Sequence, residues 1–347
     1  MVILQWTAEQ FGRRQASVYR ETLVGALIAL ADDPFARSRR WSDLSRGMDS
    51  AHHCSQTRAV HSFGPPAWTT LSVIAGRTSS IKLGTIHLAQ PFRAQGDDCQ
   101  DGGPLDTLSG GRLILFYDCG WLESEVRAYG LDWPAEDERI ARMAAGLDLI
   151  TALWRTSSPL DFQGQFFCTH GATCRPAPLQ KPRPPIWLGE ARHSHWLDVI
   201  ARHADGWNSV PASPARLSEK LHALRAACHR AGRDMAELEL SLEVQVLVVP
   251  TEADVKSIAR RIADLPSSKR GEVRPDILDA VRSDDGRPLH TTIDDWLVGT
   301  PEAVTRQLDA YLALGISHFM LWFLDFPSLD GLKLFAEQVR PALRSTL

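Results

Sequence analysis

No two of the six cysteines in this 347-residue chain, at 54, 99, 119, 168, 174 and 228, stand at CxxC spacing. Zinc ribbons and thioredoxin-like motifs therefore lack their sulfur pairs, and a chain this long has no need of disulfide staples. Idle thiols in a reducing cytoplasm are the expectation. No apolar run approaches the roughly 18 residues of a membrane span; the best candidate, LVGALIALA at 23–31, is far too short. The opening MVILQWTAEQFGRR lacks the basic, apolar and small-residue regions of a signal peptide. Positive charge is not in excess either: the net charge of −4 gives no footing for binding phosphate backbones. A soluble, cytoplasmic protein with neither nucleic acid nor membrane as partner is expected. GxSxG, the phosphate-binding GxxxxGK run and GxGxxG are all missing, which leaves hydrolase, P-loop and Rossmann readings unsupported.

What is present has globular proportions, 44% hydrophobic and 23% charged residues, enough for a sizeable core. From residue 68 onward short apolar runs alternate with stretches of helical period, which calls for parallel strands joined by crossover helices. Helix 68–77 leads to strand 81–88 and then strand 112–118; helix 136–155 places Ile140, Met143, Leu147, Ile150 and Leu153 on one stripe. Strand 185–189, helix 194–203, strand 206–210, helix 214–232, strand 239–249 and helix 252–264 follow, before a polar insertion near 267–288. At GTPEAV, Thr300 can cap a helix whose first turn suits Pro301 and Glu302. Strand 316–323 and helix 328–344 close the chain. No linker interrupts this repeat, so an α/β fold of one (β/α)8 barrel domain over residues 1–347 is expected. Two stretches break the pattern. Residues 1–65 show no clear opening strand, and RAQGDDCQDGGP at 93–104 is rich in glycine and aspartate and ends in proline, a poor helix.

Six stretches, taken in order, resemble a known family: TTLSVIAGRTSSIKLGT, LDTLSGGRLIL with GWLESEVRAYGLDWP, RPAPLQKPRPPIWLGEA, IARHADGWN, and GTPEAVTRQLDAYLALGISHFMLWFLDFPSL. The chain is similar to the bacterial luciferase-like flavin-dependent oxidoreductases, single-domain TIM barrels that use FMN or the deazaflavin F420. The resemblance covers about residues 66–345, with 1–65 poorly matched. It implies a monooxygenase or other oxidoreductase acting on a small organic substrate with reduced FMN or F420, FMN ranking slightly ahead on family frequency. It also implies a homodimer and, for FMN, a separate flavin reductase as partner.

Two departures bear on function. The family's strand before the GW pair ends G-x-G-x-G-W, where flavin lies against bare backbone; here those positions read Phe116, Asp118 and Gly120. A flavin-free, inactive barrel is the alternative these residues raise. The family also has an alanine- and methionine-rich helix where 93–104 stands, and a compensated pair of frameshifts would account for the difference; the gene's codons test this.

Barrel active sites form at the C-terminal ends of strands. The resemblance accordingly points to Thr85, Tyr117, Asp118, Gly120, Trp121, Gly189, Glu190, Ala191, Arg192 and Asn208 as cofactor contacts, with Gly189 to Arg192 at a helix start suited to phosphate. His53, loosely matching a family histidine beside His52, and Glu123, after the GW pair, are the catalytic candidates. His87, Glu243, Gln245, His318 and Trp322 stand at further strand positions; His318 and Trp322 read most simply as core. Cys119 has no paired base nearby and reads as an idle thiol. No metal is expected: the histidines at 193 and 195 lack a third ligand at useful spacing, and DDCQDGG lacks the bidentate acid of a calcium loop.

Overall fold

The computed structural model describes residues 67–190, 193–264, 275–283, 293–325 and 328–344. The expected site residues His52, His53, Ala191 and Arg192, and most of the 267–288 insertion, lie outside these. The chain divides into two compact units, the first ending at Asp205 and the second beginning at Gly206.

The first unit opens on α1 (Ala67–Arg77) and carries three parallel strands, β1 (Leu88–Ala89), β2 (Leu115–Asp118) and β5 (Ile186–Gly189), in that spatial order. The strand expected over 81–88 is shorter than its pattern, with only a bridge between Leu83 and Leu113 before β1. Helix α4 (Glu136–Arg155) has the expected boundaries, and its stripe of Ile140, Met143, Leu147, Ile150 and Leu153 is buried. A small antiparallel hairpin of β3 (Leu160–Gln163) and β4 (Cys168–Ala172) stands apart from the parallel sheet, and α5 (Ser194–His203) follows β5.

The stretch expected to be a poor helix is one. Helix α2 runs Gln95–Ser109 with Pro104 inside it and ends on Gly110 in the left-handed region, φ 72°. Packing overrides propensity here. A Cβ on Gly102 would meet Trp154 at 2.7 Å, and one on Gly103 would meet both Cys174 Sγ and the Pro176 carbonyl at 2.7 Å. The residues that weaken the isolated helix thus let it approach its neighbours closely. Its buried Asp98 accepts from Arg93 Nε at 2.6 Å and from the Tyr117 hydroxyl, while Asp106 accepts from the Gln180 backbone at 2.9 Å and its side chain at 2.7 Å. Arg112, also buried, binds the Ala75, Thr78 and Ile81 carbonyls and so ties β2 to the end of α1.

In the second unit β6 (Gly206–Ser209), β7 (Glu239–Val248) and β8 (Leu297–Gly299) run parallel, and β9 (His318–Phe323) also pairs with β7. Helix α6 (Pro214–Arg230) precedes β7, α7 (Glu252–Ala263) and α8 (Pro275–Arg282) follow it, and α9 (Pro301–Leu312) begins at Thr300, whose hydroxyl accepts from the Ala303 N–H at 3.5 Å as its sequence position predicts. The closing helix expected over 328–344 runs from 330 to 344 as α10 (Asp330–Leu334), a π segment (Phe335–Val339) and α11 (Arg340–Arg344) without a break. Among the described residues no helix is long and apolar enough to cross a membrane.

Candidate functional site

Side chains on a strand alternate between faces, so β2 divides its own candidates. Leu115 and Tyr117 turn to the helix layer: the fully buried Tyr117 hydroxyl donates to Asp98 on α2. This bond places Tyr117, a residue expected to touch a cofactor, on the face opposite Phe116 and Asp118. Phe116 and Asp118 project the other way, where register sets Phe116 beside Trp187 of β5. Their ring centroids lie 6.0 Å apart, and His87, just before β1, meets Phe116 edge to face at 4.6 Å.

His87 and Asp118 form a pair on this face, with Nδ1 3.5 Å from Oδ2 and side-chain exposures of 18% and 15%. The Gly120 N–H donates to the other carboxylate oxygen at 2.7 Å. Burial pushes the Asp118 carboxyl up from its ordinary value, against the pull of His87 and the Gly120 N–H. Burial also pushes His87 down, the neighbouring carboxylate opposing it. A neutral imidazole is favoured by this burial. Its Nε2 is buried with no hydrogen-bond partner, and a Cβ on Gly189 would come within 2.5 Å of it. Gly189 therefore leaves room for His87.

The other expected residues are scattered around this pair. Thr85 donates its hydroxyl to the Phe116 carbonyl at 3.4 Å. Gly120, at φ 82°, makes a turn where a Cβ would meet Pro91 at 2.9 Å, so it serves the packing of the chain. Trp121 is 72% exposed. Glu123, the other catalytic candidate, is paired with Arg127 at 2.7 Å on the exposed first turn of α3 (Glu123–Ala128). Glu190 is half-buried directly after β5. Cys119 is buried, its thiol pushed up to about 12 by burial and then by Asp118, an unreactive form.

A metal-donor trio that spacing did not reveal lies nearby in the first unit. Asp137 Oδ1, from α4, is 3.2 Å from His193 Nε2 and 3.1 Å from His195 Nδ1. His193 caps α5, its Nδ1 accepting from the His195 N–H at 3.3 Å. That bond puts the neutral ring's proton on Nε2, facing Asp137, so the trio is satisfied as a hydrogen-bonded helix cap.

In the second unit, Asn208 of β6 stands opposite Ser241 of β7, and the Ser241 hydroxyl donates to its Oδ1. Alternation puts Glu243 and Gln245 on the face of Ser241, while Leu242, Val244 and Val246 are buried on the other. The β9 register adds His318, Met320 and Trp322 opposite Ser241, Glu243 and Gln245. His318 and Trp322 were expected in the core; Trp322 is half-buried, and His318 is exposed and 4.0 Å from Glu239.

Comparison with known proteins agrees with this architecture. The profile of the luciferase-like monooxygenases matches residues 48–318. An F420-dependent glucose-6-phosphate dehydrogenase of Nakamurella multipartita is 28% identical, covering 86% of this chain and 89% of its own. An FMNH2-dependent dimethylsulfone monooxygenase of Pseudomonas putida is 23% identical over 69% of this chain and 68% of its own. A monooxygenase structure from Streptomyces bottropensis superposes with a TM-score of 0.65 at 23% identity, covering 80% of this chain and 83% of that one. The fold is the (β/α)8 barrel of these proteins.

Proposed function

The chain belongs to the luciferase-like monooxygenase family, and we propose that it is an oxidoreductase that uses a flavin-type cofactor on a small organic substrate. The observation that carries this reading is the His87–Asp118 pair, whose Nε2 is buried without a partner on the sheet face where the family leaves its glycines. Phe116 sits under that face almost wholly buried, and His87 and Asp118 remain partly open above it. The floor is raised by one layer of side chains and is still aromatic and polar, which fits a planar heterocycle better than it fits a filled core. When bound, such a ring exchanges hydride with the substrate or reacts with oxygen. His87 and Asp118 would hold it by ring stacking and hydrogen bonds in place of bare glycine backbone, and Gly189 leaves the space that His87 occupies.

F420 is the cofactor to test first, since the dehydrogenase relative named for it matches more of the chain, and more closely, than the FMNH2-dependent one. This reverses the order expected from the sequence. A flavin reductase partner belongs only to the FMN variant of the reading. A homodimer, a single-domain organisation and a cytoplasmic location complete the proposal. The test is a titration of the purified full chain with F420 and with FMN, followed by absorbance and cofactor fluorescence. Saturable binding of one of them supports the reading, and binding of neither overturns it in favour of the flavin-free barrel.

A further inference from the structure

Three metal-ligating side chains from two helix starts converge in the first unit. Asp137 is the second residue of α4 and stands between Glu136 and Glu138 in an acidic first turn. His193 caps α5, and His195 belongs to the first turn of that helix. The two helices pack together, which brings Asp137 to a histidine 58 positions later and supplies the third ligand that sequence spacing does not. Asp137 Oδ1 lies 3.2 Å from His193 Nε2 and 3.1 Å from His195 Nδ1, and all three atoms fall within 4.8 Å of one another. The imidazoles are tilted by 59° with centroids 4.9 Å apart, so each presents an edge to the carboxylate and neither covers the other.

Spacing, charge and access all suit a cation here. An ion with tetrahedral bonds of about 2.0–2.1 Å to nitrogen and oxygen sets its ligand atoms about 3.3–3.4 Å apart, close to both separations from Oδ1. A charge-assisted hydrogen bond contracts to about 2.7–2.9 Å, and neither contact does so, because one oxygen serves both rings. The positive ends of two helices meet at this point, which by itself disfavours a cation. The acidic turn of α4 offsets them: Glu138 is bonded to Arg142 at 2.8 Å, but among the described residues no arginine or lysine pairs with Asp137. Asp137 and His195 are each 68% exposed and His193 is 27% exposed, so an ion enters from solvent and water completes its coordination. Two imidazoles and one carboxylate make a donor set for zinc. Calcium and magnesium take oxygen ligands, and copper(I) takes sulfur.

We propose that Asp137, His193 and His195 form a zinc site that ties the start of α5 to the start of α4. The site shares no residue with the His87–Asp118 pair and stands independently of the oxidoreductase reading. Cap and metal site are alternative uses of one ring. His193 Nδ1 accepts from the His195 N–H at 3.3 Å, with the ring proton on Nε2. Zinc takes the Nε2 lone pair, so that proton passes to Nδ1 and the cap bond is given up to a coordinate bond. His195 binds through Nδ1 and carries its own proton on Nε2. Each neutral ring keeps one proton throughout, and none is released.

Titration calorimetry of the full chain with zinc chloride, after chelator treatment and near neutral pH, is the test. The wild type is expected to bind zinc at this site with micromolar affinity, weaker than a closed four-ligand site because water holds the fourth position. His195→Ala and Asp137→Asn each remove a ligand. Loss of an outer-shell partner alone costs about 10–100-fold, so each is expected to weaken binding at least about tenfold. His193→Asn separates the two roles, since asparagine caps a helix through its side-chain oxygen and offers zinc no imidazole. It is expected to lose zinc and to keep the Tm of the metal-free chain. Zinc should raise the Tm of the wild type and of none of these three variants. His222→Ala, which removes an exposed histidine of α6, controls for adventitious surface binding and should bind as the wild type does. No zinc binding by the wild type, or binding as tight as the wild type by any of the three ligand variants, overturns the proposal. An equal loss in the His222→Ala control overturns it too.

Discussion

Two carboxyl groups sit on polar sheet faces of this protein, one in each unit, and they are held in opposite ways. Asp118 of the first unit has two partners, His87 at 3.5 Å and the Gly120 N–H at 2.7 Å. Glu243 of the second has no such partner among the described residues, and burial pushes its carboxyl up. A carboxyl with a backbone donor on one oxygen and an imidazole beside the other is a positioning element, because its orientation is fixed by both neighbours. A carboxyl that is desolvated and without such partners keeps its proton up to neutral pH, because burial disfavours its charged form. The same residue chemistry therefore reads as scaffold in one unit and as a proton-holding acid in the other.

The largest effect that would test this contrast is on Asp118. Replacing it by alanine leaves the Gly120 N–H without its acceptor and removes the carboxylate beside His87, on a face that is more than four-fifths covered. An orphaned donor costs about 1–3 kcal/mol, so a loss of about 2 kcal/mol is expected in urea denaturation. A loss too small to measure would show that Asp118 is no more anchored than Glu243.

Glu243→Gln is expected to act in the other direction, and only at higher pH. The carboxyl's folded pKa, about 7, lies above its ordinary 4.5, so the folded chain keeps a proton that the unfolded chain sheds. Stability from this group is full below about pH 4.5 and falls as pH rises through about 7. Glutamine does not titrate. The variant should match the wild type in acid and exceed it by about 2 kcal/mol near pH 8, less than the full shift implies because the side chain is partly open to water. Equal stability of the two proteins at both pH values would mean that Glu243 has a partner after all.

How much of this was legible in the sequence depends on the range of the interaction. Helices α4 and α5 follow from local periodicity and have the expected ends. Helix α2 does not, because what stabilises it is the fit of Gly102 against Trp154, 52 positions later, and of Gly103 against Cys174, and no local propensity registers such contacts. At the site, two-residue alternation was enough to put Phe116 and Asp118 on one face. The same rule puts Tyr117 on the other face, where its hydroxyl meets Asp98. The pairing of His87 with Asp118 spans 31 positions and that of Asp137 with His195 spans 58, distances at which a single sequence carries no signal. The orphaned atoms of Asn208 and Gln245 are visible only as the remainder of a hydrogen-bond count.

The smallest effect separates the two faces by space rather than charge. A methyl group at Gly189 would come within 2.5 Å of His87 Nε2 and 2.9 Å of its Cδ2, so Gly189→Ala requires the imidazole to move. It cannot move freely, because Phe116 lies against its ring at 4.6 Å and Asp118 holds its Nδ1. Crowding of this kind costs about 1–2 kcal/mol when a ring must leave its rotamer. Glycine at 189 adopts no left-handed φ, so backbone strain contributes nothing and any loss reports on His87 alone. Combining Gly189→Ala with His87→Ala, which removes the obstacle, should cancel the penalty in a double-mutant cycle. Additive losses would place the imidazole somewhere other than over Gly189, and the contrast between an anchored acid in one unit and an unanchored one in the other would lose its first half.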